Sequence, residues 1–176
     1  MRYSSLSEKG RRPNNEDVVF TRFDPRYPLI AAVSDGMGGH AAGEVASRIS
    51  IEALDMWTRE LVDAPQNVLV DAFFNAHAHG IIHRDVKPQN VITRCIGSEA
   101  SFEPDVFYTR WNPKDLVILC SDGLCDALRE EDILALVQQK TDLDTLCHAL
   151  AKAAYDKGSA DNISLVLVRN EGGVEL

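Results

Sequence analysis

Five carboxylates stand at the ends of apolar runs in this sequence. Glu16 and Asp17 lead into V-V-F-T-R-F, Asp35 ends L-I-A-A-V-S-D-G-M-G-G, Asp122 ends L-V-I-L-C-S-D-G, and Asp161 immediately precedes N-I-S-L-V-L-V. Carboxylates at strand ends beside glycine-containing turns can converge on one side of a sheet without taking core positions. Gathered there, each close pair repels by about 4 kcal/mol at an effective dielectric near 20, so the cluster calls for cations. Its donors are all oxygen, with no His or Cys at matching places, which points to Mg²⁺ or Mn²⁺ rather than Zn²⁺. A single aspartate at a strand end is most often a turn or helix-cap residue. Four such segments together, N-E-D, D-G-M-G-G, S-D-G and A-D-N, argue for a site.

The elements that must position these residues follow from periodicity. Residues 17 to 23 and 29 to 34 are β-branched or aliphatic runs separated by D-P-R-Y-P, and predict a hairpin whose second strand is buried. From 41 to 61, Ala46, Ile49, Ala53, Leu54, Trp57 and Leu61 recur at three- and four-residue spacing, one face of a helix. A second helix fits 67 to 79, and strands fit 91 to 96, 105 to 111 and 115 to 120, the last two joined by N-P-K-D. Helices are expected at 130 to 139 and 144 to 155, the latter ending at Lys157-Gly158, and a buried strand at 163 to 168. Segregated strands and helices predict an α+β fold, an antiparallel β-sandwich flanked by helices, in a single domain spanning 1 to 176.

Composition narrows the function classes. A net charge of −9 argues against a nucleic-acid or anionic-membrane surface, and 45% apolar residues suffice for a core. No stretch has the length of apolar sequence that a membrane span needs, and the first residues hold no apolar run of a signal peptide, so a cytoplasmic protein is expected. Cys95, Cys120, Cys125 and Cys147 form no C-x-x-C pair and read as reduced thiols, mostly in the core.

The segments R-R-P-N-N-E-D, A-A-V-S-D-G-M-G-G-H-A-A-G-E-V-A-S, V-I-T-R-C-I-G, L-V-I-L-C-S-D-G-L and S-A-D-N-I-S resemble, in order, the motifs of the metal-dependent protein phosphatases of the 2C type in their compact bacterial form. The resemblance covers residues 1 to about 75 and 90 to 170. It implies a β-sandwich flanked by helices, two Mn²⁺ or Mg²⁺ ions, and hydrolysis of phosphoserine or phosphothreonine in proteins by a metal-activated water. It further implies that Asp35 bridges both ions, that the Gly36 carbonyl and a water held by Glu16 complete one, and that Asp122 and Asp161 hold the other. Asp17 is implied to orient metal-bound water and Arg12 to bind substrate phosphate, with Arg11 as the neighbouring competitor. A guanidinium suits that task because it meets phosphate oxygens bidentately. Gly38-Gly39 fits a tight turn into the helix at 41, and His40 is either a proton donor to the leaving group or, on the simpler reading, a cap.

A second string stands apart. I-I-H-R-D-V-K-P-Q-N, residues 81 to 90, resembles the catalytic loop of protein kinases. The other parts of a kinase site, a glycine-rich loop, a strand lysine paired with a helix glutamate and a D-F-G motif, are not in the sequence, so kinase activity is not expected. Residues 76 to 90 instead read as an insert where the phosphatase pattern carries an M-G-T-T-like strand and a G-D-S-R turn. Asp85 is the only positional counterpart of the G-D-S aspartate. Loss of central strands exposes new edges, which the remaining strands close, or two chains cover by exchanging elements as a homodimer, or which leave the fold marginal. The functional expectation is a serine/threonine phosphatase acting on phosphoproteins, a cognate kinase or its substrates among them. The alternative is a catalytically weak or inactive metal-binding module that docks a phosphoprotein or partner kinase.

Overall fold

The run I-S-L-V-L-V becomes the central strand of a sheet whose two neighbours come from distant parts of the chain. The computed structural model describes residues 1–24, 27–36, 42–60, 112–139 and 141–172. Its elements are β1 (Arg2–Glu8), β2 (Val18–Asp24), β3 (Tyr27–Ser34), α1 (Ala42–Glu60), β4 (Leu116–Cys120), α2 (Asp122–Cys125), α3 (Glu130–Val137), α4 (Leu143–Asp156) and β5 (Ile163–Arg169). The helix expected at 67 to 79, the strands at 91 to 96 and 105 to 111, and the insert at 76 to 90 lie outside the described residues. The architecture is α+β with antiparallel strand pairing, as the segregated pattern predicts.

One unit comprises residues 1–33 and 109–176. In it β5 pairs antiparallel with β1 on one side, from Arg2↔Arg169 to Glu8↔Ile163, and with β4 on the other, from Leu116↔Arg169 to Cys120↔Leu165. Because strand side chains alternate, β5 serves two layers. Ile163, Leu165 and Leu167 join Leu146, Cys147, Leu150, Ala151 and Ala154 of α4 and Leu124 of α2 in one buried cluster. Ser164, Val166 and Val168 are buried on the other face, and β2, which pairs with β3, lies against β5 and β1. Burial on both faces explains why this strand reads as a continuous apolar run.

The helices end where local chemistry stops them. Asp142 caps α4, accepting the Thr145 N–H at 2.9 Å and its hydroxyl at 2.6 Å. At the other end Gly158 takes φ +99°, its N–H bonds the Tyr155 carbonyl, and the Ser159 N–H bonds the Ala154 carbonyl. That 5→2 and 6→1 pair satisfies two otherwise orphaned carbonyls. The N-P-K-D segment is a turn: Asp115 N–H bonds the Asn112 carbonyl at 3.1 Å, the Asp115 carboxylate accepts the Asn112 N–H at 2.8 Å, and Lys114 takes φ 76°. Leu150 is fully buried at the centre of the cluster. Leu150→Ala is expected to cost about 2–5 kcal/mol through lost transfer energy and an unfilled cavity, read as a lower midpoint in urea at unchanged slope.

The other unit comprises residues 34–108, of which 34–36 and α1 are described. α1 buries Ala46 together with Ser47, Ser50 and Thr58. Ser50 and Thr58 bond the helix's own carbonyls, Ser50 to Ala46 at 2.9 Å and Thr58 to Asp55 at 2.7 Å, so burial leaves neither hydroxyl unmet. Asp55 also pairs with Arg59 one turn on, at 2.8 Å. No described helix is long and apolar enough to cross a membrane.

The thiols differ from expectation in one respect. Cys147 is core, Cys120 is half-buried, and Cys125 is exposed although its helix neighbour Leu124 is buried. All three are free. Burial, and then the neighbouring Cys125, push the Cys120 thiol up to about 11, which keeps it protonated and poorly nucleophilic.

Candidate functional site

β1 ends at Glu8, β4 ends at Cys120, and β5 begins at Ile163, so the antiparallel register places three loops at one end of the sheet: 9–17, 121–125 and 159–162. Two glycines let their backbones meet. Gly10 has φ +62°, and a Cβ there would lie 2.4 Å from the Asp161 carbonyl oxygen. A Cβ on Gly123 would lie 1.9 Å from the Asn162 carbonyl oxygen. Neither position admits a side chain without moving backbone. Hydrogen bonds stitch the same loops: Ser121 N–H to the Ser164 carbonyl at 2.9 Å, Ser164 N–H to Ser121 Oγ at 3.0 Å, and Ser159 Oγ to the Gly123 carbonyl at 2.8 Å.

Onto this frame the first unit brings Arg12, Glu16, Asp17, Asp122 and Asp161. Arg12 Nη2 donates to Asp161 Oδ2 at 2.7 Å, while Asp161 Oδ1 accepts the N–H of Asn162 at 2.8 Å. The Arg12 guanidinium is held above its ordinary value, first by the hydrogen bond to Asp161 and then, against some desolvation, by the charges of Asp161, Glu16 and Asp122. Arg11, the competitor, is exposed.

Asp17 is the anomalous member. It is 7% exposed, and its Oδ2 is buried without a hydrogen-bond partner among the described residues. Burial chiefly, with the charges of Asp161 and Asp122 adding to it, pushes its carboxyl above the usual range, while the hydroxyls of Ser121 and Ser164 pull it back. Behind those hydroxyls runs a chain in which Ser164 Oγ meets Ser7 Oγ at 2.8 Å and Ser7 Oγ accepts from Asn15 Nδ2 at 2.9 Å. The Tyr155 hydroxyl is also buried and has no partner among the described residues, and is pushed up to about 12 by burial and then by Glu8 and Asp17.

Asp35 and Gly36 follow β3 in the second unit, Asp35 exposed and Gly36 buried. Gly38, Gly39, His40 and Asp85 lie outside the described residues. Asp122 does not simply end a strand, since it opens the short helix α2, preceded by Ser121 in extended conformation. Among the described residues no three carboxylate, thiol or imidazole groups converge into a chelating set as they stand. The donors nonetheless fit a hard divalent cation: they are oxygen throughout, three carboxylates act on one guanidinium, and Asp17 holds out a buried oxygen with no partner among the described residues.

Sequence reasoning missed Asn162, Ser121, Ser164 and the two close-packed glycines as working parts. Asn162 lies inside A-D-N and Gly123 inside S-D-G, and that proximity to Asp161 and Asp122 was the available signal. Gly10 carried none beyond its place before R-R.

Residues 84–163 match a family model described as protein phosphatase 2C, and the match begins inside the H-R-D-x-K-x-x-N string. A putative protein phosphatase 2C-type of Streptococcus pyogenes is 23% identical, covering 92% of this chain and 94% of that protein. The alignment runs over 231 residues, more than the 176 of this chain, so the streptococcal protein carries internal sequence that has no counterpart here. The serine/threonine phosphatase stp of Listeria monocytogenes is 22% identical over 94% of each chain. Among solved structures, a crystal structure of a bacterial serine phosphatase superposes with a TM-score of 0.85 at 22% identity, covering 99% of this chain and 100% of that one.

Proposed function

We propose that this chain, whose fold and motif order are those of the protein phosphatases of the 2C type, is a serine/threonine protein phosphatase that hydrolyses phosphate monoesters with the help of two bound Mn²⁺ or Mg²⁺ ions. The observation that carries the reading is the Arg12–Asp161 ion pair, in the field of Glu16 and Asp122, together with the buried Oδ2 of Asp17 that has no partner among the described residues. Such a group pairs a phosphate-binding fork with a surplus of hard oxygen donors, which is what phosphoryl transfer to water requires.

Glu16, Asp17, Asp122 and Asp161 are the residues of the first unit that would hold ions, and Asp35 and the Gly36 carbonyl are added on the motif resemblance alone. When bound, the ions supply charge that offsets the phosphate oxygens and lowers the pKa of water. Arg12 receives the substrate phosphate through two parallel N–H donors, exchanging its bond to Asp161 for bonds to phosphate oxygens. Asp17, ionised, accepts a proton-bearing group at Oδ2 and so fixes the orientation of water beside the phosphorus. No side-chain nucleophile is required. Phosphorylated serine and threonine proteins are the substrates, a cognate kinase or its substrates among them. The compartment we assign is the cytoplasm.

The test is hydrolysis of a phosphothreonine peptide across a Mn²⁺ titration. Turnover that rises with Mn²⁺ and vanishes with chelator is expected. Absence of turnover from a folded protein that binds Mn²⁺ would replace the reading with that of a non-catalytic module.

A further inference from the structure

Asn162 sits between the candidate ligand Asp161 and the central strand, is 6% exposed, and is bonded to a distant loop in a way that a mere spacer would not be. Its side-chain Nδ2 donates to the Lys9 carbonyl at 2.7 Å and to the Asn14 carbonyl at 2.9 Å, and its Oδ1 accepts the Glu16 N–H at 2.9 Å. Three of the four bonds available to a carboxamide are thus spent on one loop, and the pattern of two carbonyl acceptors and one N–H donor fixes which end is nitrogen. Its backbone N–H meanwhile holds Asp161 Oδ1 at 2.8 Å. One residue therefore sets both the rotamer of Asp161 and the path of residues 9–16, the loop that delivers Arg12 to the other oxygen of Asp161 at 2.7 Å. Lys9 and Asn14 bracket Arg12 in sequence, so both feet of the arginine's loop stand on the same amide.

We infer that Asn162 is a positioning residue that clamps the loop 9–16 and thereby fixes where Arg12 meets the substrate phosphate, without itself touching metal or substrate. This rests on the proposed phosphatase reading. Asn15 also ties the loop to Ser7 and accepts the Asp17 N–H, so Asn162 is the anchor that joins the loop to Asp161 and β5 and not the loop's sole support. Arginine's two-pronged grip on phosphate depends on placement, and an error near 1 Å costs heavily in rate.

The experiment combines hydrogen exchange with a mutant cycle. In Asn162→Ala, amides of residues 10–17 are expected to lose about tenfold or more protection while those of α4 and β5 keep theirs, because only the loop's own bonds are removed. KM for a phosphothreonine peptide is expected to rise about tenfold, and the double variant with Arg12→Ala is expected to bind no worse than Arg12→Ala alone, since a clamp has no effect once the clamped group is gone. Additive losses in the cycle, or loss of exchange protection throughout the sheet, would overturn the assignment. Should Asn162→Ala fail to fold, Asn162→Ser serves: its neutral hydroxyl is too short to reach both the Lys9 and Asn14 carbonyls, so loss of protection is still expected at the 9–14 turn. If the unmodified protein shows no hydrolysis, the phosphatase reading fails at that step, and the exchange arm still decides whether Asn162 clamps the loop.

Discussion

Asp161→Ala is expected to lower kcat/KM for a phosphothreonine peptide by about 100- to 1,000-fold, the scale on which loss of one group that stabilises developing charge is felt. Two contributions are removed together. The carboxylate is a proposed metal ligand whose oxygens are both held, one by the Asn162 N–H and the other by Arg12. Its loss also leaves Arg12 without its 2.7 Å partner. The fold should hardly notice. The ion pair is partly exposed on both sides, and pairs of that kind contribute about 1 kcal/mol or less. Steady-state kinetics beside a thermal melt separates the two effects: a variant with near-normal Tm and full activity would remove Asp161 from the site.

Asp17→Asn is expected to move activity and stability in opposite directions. Turnover should fall by about 100-fold or more, because the neutral amide cannot replace a buried anion as a cation ligand or proton acceptor. In chelator, however, the variant should be more stable than the parent, because the amide removes a charge that burial disfavours. The pH dependence follows from the direction of the shift. Asp17 has a folded-state pKa raised above its unfolded value, so its ionised form disfavours the fold, and the penalty stands at neutral pH. It is relieved as pH falls through the folded pKa toward the unfolded one, where the parent's Asp17 also becomes neutral and the advantage of the amide disappears. Adding Mn²⁺ should reverse the ranking at neutral pH, since the parent gains binding energy that the variant lacks. Urea melts at neutral and acid pH, with and without Mn²⁺, check all three limbs. Equal stability of the two proteins in chelator at neutral pH would mean that the Asp17 carboxylate is adequately paired.

How much of this was legible depended on whether the information was local. β2, β3, α1, β4, α3, α4 and β5 fall within a few residues of their expected places because each carries its own period or apolar run. β1 does not. R-Y-S-S-L-S-E holds only Tyr3 and Leu6 as large apolar residues, and its strand state is imposed by pairing with β5 at the far end of the chain. α2 escaped notice because four residues are too few to show a period. The candidate carboxylates stood out through their strand-end positions, while the pairing of Arg12, rather than Arg11, with Asp161 is a contact that only the fold supplies. Asn162 could not be read as a clamp, since its three bonds run to backbone atoms, and backbone atoms leave no mark on the residue types that carry them. The close approaches at Gly10 and Gly123 were hidden for the same reason.

The position of β5 has a consequence for how the protein comes into being. It is the last described strand in the chain and the middle strand of its sheet, so β1 and β4 have no shared partner until it arrives. On a ribosome, the N-terminal loop with Arg12 emerges long before Asn162, and Asp122 before Asp161. Neither the clamp nor the charge cluster can exist on a nascent chain, and long-range strand pairing of this kind is slow to close. Pulse-labelled synthesis intermediates stopped ahead of residue 163 should therefore be protease-sensitive and unable to retain Mn²⁺, and a single late strand would convert them into a folded protein.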